Sequence, residues 1–199
     1  MIVLDHEQGT EEWFAARLGK PSASMFSKLI TTTGKPSSSA DGYINQLMAE
    51  IITGHSEGHF SNAHTERGNL LEPDARDMYE FISGNEVLEV GFILDDSLDF
   101  GCSPDGLVGA DGGLELKCPA GNTQVAYLRD PTVGVKKYWQ QLQGCMMVTG
   151  REWWDFMTYH PEMPHVLVRV ERDEEYIAKL AAELTKAVNV IKTELEKLA

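Results

Sequence analysis

The sequence predicts one α/β domain built on a mixed β-sheet flanked by helices, and three observations carry that expectation. Helical patterning dominates as far as Gly84. Short β-like runs then take over up to Pro119, followed by a helix, two strands and a long final helix. No internal repeat and no linker divides the 199 residues, enough to bury roughly two thirds of the unfolded surface in one core.

Along the chain, Thr10 followed by Glu11 and Glu12 reads as a capped, acid-rich first turn of a helix that runs to about Leu18 and ends at Gly19. Ser22 is placed to cap a second short helix through Phe26 and Leu29. Residues 31–42, "TTTGKPSSSADG", have turn composition and no apolar period, which predicts a mobile loop. A helix is expected from Tyr43 to Thr53, stopped by Gly54, and another from about Thr65 to Ile82, restarted or kinked at Pro73. The β-like runs are "EVLEVGFIL", "SLDFGCS", "DGLVGA" and "GLELKCP". The tight "ADGG" joins the last two as a hairpin, since Asp-Gly and Gly-Gly accept positive φ. Helical texture returns in "VKKYWQQLQGCMMVTG", strands fit "WWDFMTY" and "HVLVRV", and Asp173 caps a last helix. Its Ile177, Leu180, Leu184, Ala187, Ile191, Leu195 and Leu198 form a stripe read as core, with a subunit interface as the alternative.

Composition narrows the function. With 42% hydrophobic and 24% charged residues and no long apolar run, the chain is expected to be soluble and cytoplasmic, without a membrane span or leader. Its three cysteines show no CxxC spacing, which argues against a disulfide framework or a thiolate metal site. A net charge of -14 argues against coating nucleic acid by bulk electrostatics, but not against an enzyme that gathers carboxylates around a cation. His55, His59 and His64 sit in the polar stretch "HSEGHFSNAH", for which a solvated loop is the simpler reading.

Chemistry concentrates in residues 101–119. Alternate side chains share a face of a strand, so in "LELK" Leu114 and Leu116 are expected in the core while Glu115 and Lys117 face a cleft together. Asp105 opens the partner strand. A hairpin would bring Asp105 and Glu115 to one hard cation, with the Leu116 backbone carbonyl as a further ligand and water completing the shell of Mg2+. Lys117 would orient or deprotonate that water, or neutralise developing charge. Glu-x-Lys alone is commonly a solvated pair. Pro104-Asp105, nine intervening residues and Glu115-Leu116-Lys117, however, compose the spaced signature PD-(x)n-E-x-K on a predicted hairpin. Glu72, in the preceding helix, is the third acid, with an ordinary helix-surface role as its alternative.

The stretches "EQGTEEWFAARLGKPSAS", "NLLEPDARDMYEFISG", "CSPDGL", "GLELKCP" and "VERDEEYI" resemble the lambda phage exonuclease family, or YqaJ-like viral recombinases, within the PD-(D/E)xK nuclease superfamily. The resemblance runs in order from Glu7 to Ile177. It implies a restriction-endonuclease-like fold forming one nuclease domain over residues 1–199. It also implies degradation of one strand of double-stranded DNA from its 5′ ends, with Mg2+ (two ions, Mn2+ able to substitute), by a homotrimeric ring threaded by its substrate. A single-strand annealing protein is the implied phage partner, in recombination within a bacterial host.

Position by position, the resemblance implies that Asp105 and Glu115 bind metal, that Lys117 assists the attacking water, and that Glu72 completes the acidic cluster. Arg17, Ser24 and Ser103 match a 5′-phosphate pocket, which suits a guanidinium fork flanked by hydroxyls. Trp13 is expected to stack near the terminal bases or to pack in a helix core. Gln141 and Gln143 match a motif near the active site, and Gln141 is the expected contact. Arg129, Lys136 and Lys137 are candidates for lining a DNA channel, each with a solvated surface as the alternative. Two rival functions are a site-specific endonuclease of the same superfamily and a non-catalytic DNA-end-binding module.

Overall fold

The computed structural model describes residues 1–56 and 63–198, with the side chains of 63–65 outside the description. Among these residues a five-stranded mixed sheet has the order β2 (Val87–Leu88), β5 (Gly106–Val108), β6 (Gly112–Lys117), β7 (Trp153–His160) and β8 (Met163–Glu171). Only β6 and β7 run parallel within it. A parallel neighbour cannot be reached by a tight turn. The crossover between them is α4 (Gly121–Arg129) followed by α5 (Pro131–Thr149). A small antiparallel sheet joins β1 (Ile2–Leu4), β3 (Phe92–Leu94) and β4 (Gly101–Cys102).

Strand alternation distributes the two faces of the large sheet. On one side Leu114, Leu116 and Met157 pack under Ala75 and Tyr79 of α3 (Ala63–Ser83). On the other, Trp154 and Phe156 join a larger core with Leu142, Cys145 and Met146 of α5, Leu180 and Leu184 of α6 (Glu174–Leu198), and Tyr43 and Leu47 of α2 (Ala40–Thr53). On the α3 side, the buried Asp155 accepts from Tyr79 Oη at 2.8 Å and from Arg169 Nε and Nη2 at 2.9 Å each. No helix of the described residues is long and apolar enough to cross a membrane.

Several expectations hold in detail. Thr10 Oγ1 accepts from Trp13 N at the start of α1 (Glu11–Arg17), Gly54 ends α2 in the left-handed conformation, and Asp173 Oδ1 accepts from Tyr176 N at the start of α6. The α6 stripe is core through Ile191, while Leu198 is exposed.

Others need correction. Ser22 precedes the short 3-10 helix Ala23–Lys28 without capping it; its Oγ turns instead to Arg17 and Ser24. Residues 31–42 form an ordered turn, with Thr31 N donating to Lys35 O, Tyr176 Oη donating to Thr31 O and Gly34 seated on Lys179, and α2 already starts at Ala40. Low apolar content there reflects a turn held by hydrogen bonds. "EVLEVGFIL" splits between the two sheets, as β2 and β3. Helix α3 runs through Pro73 without a break. The β5–β6 turn occupies residues 109–111, since Val108 pairs with Gly112, and Gly109 takes the positive φ. Gly112 and Gly113 lie in β6, where the rings of Trp153 and Trp154 fill the space a Cβ would need. Strand β1 and helix α4 carry no sequence signal. The former is three residues long, and α4 starts after Ala120, whose side chain cannot cap it.

Gly144 of α5 lets the 3-10 helix lie close, because a Cβ there would run into the Phe26 ring. Gly144→Val is expected to cost about 2 kcal/mol by overpacking, read as a lower urea midpoint with an unchanged slope.

Candidate active site

Burying Leu114 and Leu116 against α3 turns Glu115 and Lys117 toward α5. Glu115 is only 1% exposed there. Its Oε1 accepts from the Lys117 ammonium and, at 2.6 Å, from Gln141 Nε2 of α5. Asp105 stands just before β5, and its Oδ2 accepts from Leu116 N at 2.6 Å. In an extended strand the N–H and C=O of one residue point the same way, so the Leu116 carbonyl is on the Asp105 side. From α3, Glu72 Oε1 accepts from Arg76 Nη2 at 2.8 Å, and Arg76 Nη1 reaches Glu89 Oε2 at 3.0 Å. Glu72 is near enough for its charge to act on both Asp105 and Glu115.

Three carboxylates thus gather around Lys117, whose charge acts on each of them. Burial, reinforced by the Asp105 charge and only partly opposed by Lys117, pushes the Glu115 carboxyl up to about 8. Burial also raises Asp105, against Lys117 and the Leu116 N–H, and raises Glu72, with Asp105 adding to the effect. For Lys117, burial alone would lower the pKa; Glu115 and Asp105 outweigh it and hold the group as an ammonium. In that state it donates hydrogen bonds and neutralises charge rather than accepting a proton.

This donor set fits a hard divalent cation. Glu115 Oε2 is buried without a hydrogen-bond partner, an acceptor for which a cation would compensate. Among the described residues no three His, Cys, Asp or Glu side chains already enclose an ion-sized position, because Glu115 is turned to Lys117 and Gln141. The fit therefore rests on two carboxylates and a carbonyl, with water filling the remaining positions as Mg2+ prefers.

Arg17, the last residue of α1, donates to Ser103 Oγ at 2.7 Å and to Ser22 Oγ at 3.4 Å. Its guanidinium lies 4.1 Å from the Trp13 ring centroid, and Trp13 Nε1 donates to the same Ser103 oxygen at 3.1 Å. Trp13 therefore serves as the floor under Arg17. Burial draws the Arg17 pKa down, a desolvation cost that an anion would offset. Ser24, exposed, lies 3.4 Å from Ser22 Oγ.

Both groups open into one cavity of about 740 Å³, lined by Trp13, Arg17, Ser24 and Ser103 and by Glu72, Asp105, Leu116 and Lys117. Glu115 and Gln141 stand behind that wall. A second cavity of about 730 Å³ shares Trp13, Glu72 and Asp105 and is rimmed by further acids, including Glu7 and Glu89. Gln143 is fully buried, donating to Glu171 O and accepting from Asp173 N, so it ties α5 to β8 and α6. Arg129 and Lys136 are exposed outside both cavities, whereas Lys137 lines the first. His59 and the His64 side chain lie outside the described residues, and His55 is exposed.

Sequence reasoning read Ser22 only as a cap and did not place it, Arg76, Gln8 or Asn69, which lines both cavities, in the site. Gln8 Nε2 donates to Val90 O and Pro104 O, fixing the segment before Asp105. Each is a lone polar residue, and nothing in its local pattern separates it from ordinary surface.

A mixed sheet whose hairpin presents PD-(x)n-E-x-K to a cleft under a crossover helix defines the restriction-endonuclease-like class of the PD-(D/E)xK superfamily. A family model for the YqaJ-like viral recombinase domain matches residues 12–152, and the chain belongs to that family. It is similar to the alkaline exonuclease LHK-Exo of Laribacter hongkongensis, with 37% identity and a TM-score of 0.86 over 95% of this chain and 96% of that one. The same exonuclease in complex with dAMP aligns with 38% identity and a TM-score of 0.84 over the same shares. A phage-related exonuclease of Haemophilus somnus shares the fold at 16% identity, with a TM-score of 0.77 over 90% of this chain and 96% of that one. No curated protein matches.

Removing Lys117 would leave Glu115 without its ion-pair partner and Asp105 with only the charge of Arg76 to oppose it. In a chelator, Lys117→Ala is expected to lower unfolding stability by about 3 kcal/mol, and Mg2+ is expected to restore part of it. Urea titrations with and without the ion check both.

Proposed function

We propose that this chain is a Mg2+-dependent 5′→3′ exonuclease that degrades one strand of double-stranded DNA from its ends. The observation that carries the reading is that Arg17, with Ser24 and Ser103, opens into the same cavity as Asp105, Glu72 and Lys117. An anion at Arg17 therefore lies along one cleft with the acidic pair. Membership of the YqaJ-like family supports nucleic-acid chemistry, and similarity to an alkaline exonuclease supports attack at ends. The relative solved with dAMP holds a deoxynucleoside monophosphate, the class of product this reaction releases.

Arg17, Ser24 and Ser103 hold the terminal 5′-phosphate and so define which strand is consumed. Asp105, Glu115 and the Leu116 carbonyl, with Glu72 beside them, would hold one or two Mg2+ or Mn2+ ions, which supply Lewis acidity and lower the pKa of water. Gln141 holds the Glu115 carboxylate in place. Lys117, as an ammonium, orients the attacking water and neutralises charge that develops on the phosphoryl oxygens. Water attacks phosphorus in line, and the bond to the 3′ oxygen of the terminal nucleotide breaks. The shortened strand then carries a new 5′-phosphate, which returns to Arg17 and repeats the cycle. We extend the reading, on family membership, to one nuclease domain spanning residues 1–199 and to a homotrimeric ring. The ring acts in the host cytoplasm and passes its 3′ overhangs to a single-strand annealing protein.

End-labelled linear duplex is expected to be shortened from 5′ ends only when Mg2+ is present, while a closed circular duplex is spared. Cutting of the circle would contradict the end-dependent reading. Lys117→Ala is expected to lower the turnover by roughly 10²-fold or more in Mg2+, and retained turnover would remove Lys117 from the chemistry. Arg17→Ala is expected to slow digestion of 5′-phosphorylated ends selectively. An equal loss on 5′-hydroxyl ends would refute the phosphate pocket.

A further inference from the structure

The same cavity is also lined by Asn122, Thr123, Tyr127, Lys137 and Tyr138. Among the described residues three cations line the cavity: Arg17, Lys117 and Lys137. Their surroundings differ. Lys117 is neutralised by Glu115. Arg17 is held by serine hydroxyls and lies on Trp13, and among the described residues no carboxylate forms an ion pair with it, Glu50 acting only through its charge. Lys137 matches Arg17 in this respect: its ammonium lies 5.2 Å from the Tyr138 ring centroid, beside the phenol groups of Tyr138 and Tyr127. Among the described residues no carboxylate pairs with it, although the chain carries a net charge of -14. The Tyr138 ring also lies 5.1 Å from the Lys117 ammonium, so one aromatic plane spaces the two lysines. Arg17 meets Ser103, two residues before Asp105, and Lys137 meets Tyr138 beside Lys117 and its partner Glu115, so contacts run from one cation by way of the acids to the other, an arrangement suited to a ligand with anionic groups on both sides of the reacting centre.

We propose that Lys137, held by Tyr127 and Tyr138, is a second phosphate contact. It grips an internal backbone phosphate of the DNA on the far side of the scissile bond from the terminal phosphate at Arg17. The inference rests on the DNA exonuclease reading and adds the residue that sets the register of the strand. Two fixed phosphates, one on each side, place the bond between them at Asp105 and Glu115. A single terminal contact would leave the strand free to pivot. Lys137 reads no base, so its contribution is the same for every sequence and is screened by salt.

The test measures binding, so it does not depend on cleavage. Fluorescence anisotropy of labelled duplexes, with Ca2+ replacing Mg2+, gives Kd across a salt series for the full chain and for Lys137→Ala and Lys137→Arg. Lys137→Ala is expected to weaken binding roughly fivefold at low salt and to reduce the slope of log Kd against log salt by about one. The loss should be equal on 5′-phosphorylated and 5′-hydroxyl duplexes, and Lys137→Arg should restore both quantities. An unchanged slope overturns the proposal, as does a loss confined to phosphorylated ends. If the unmodified chain binds DNA with the expected Lys137 dependence yet never cuts it, the contact stands and the exonuclease reading falls. If it does not bind at all, both fall.

Discussion

Holding one buried and one half-buried carboxylate against one lysine is the constraint around which this protein is organised. Strand β6 must bury Leu114 and Leu116 under α3, and the two-residue period of a strand then commits Glu115 and Lys117 to the opposite face, beneath α5. That face would ordinarily be filled by apolar side chains. Here it holds a carboxylate that is almost wholly excluded from solvent, with one oxygen satisfied by Lys117 and Gln141 and the other unsatisfied. Such a residue costs stability unless a cation completes it. The fold accepts an incomplete electrostatic site in a position where packing alone would favour leucine.

The surrounding structure makes this tolerable by being closely packed elsewhere. Trp153 and Trp154 cover Gly112 and Gly113, so the strand that carries the site is pinned just upstream of it. On the reverse face, Asp155 is fully paired with Tyr79 and Arg169, and Arg169 in turn lies 3.5 Å from the Trp153 ring centroid. One buried acid in β7 is therefore satisfied within the protein, while the acid in register one position away in β6 is not. That contrast makes Asp155 a structural residue and leaves Glu115 with an oxygen that a bound cation would complete.

Much of this was legible from residue pattern. The side-chain alternation in "LELK" and the spacing from Asp105 to Lys117 depend on local strand geometry, which sequence reports well. The residues of the proposed phosphate pocket are different. Arg17 and Ser24 sit at the ends of short helices, and only tertiary packing brings Ser103 from a distant sheet against both Arg17 and Trp13. Without a family resemblance these residues read as surface charge and cap. Residues such as Gln8, Asn69 and Arg76 were not legible at all, because a single polar side chain has no periodicity. Turn 31–42 was misread for a related reason: polar composition reports solvent contact, whereas order there comes from backbone hydrogen bonds and from Tyr176 in the last helix.

The most direct test of the central claim is anomalous diffraction from crystals soaked in Mn2+. The account predicts a peak bounded by Asp105, Glu115 and the Leu116 carbonyl, with Glu115 Oε2 turned onto the ion. Full occupancy of Glu115 by Lys117 at saturating Mn2+, with no peak between the two carboxylates, would contradict it.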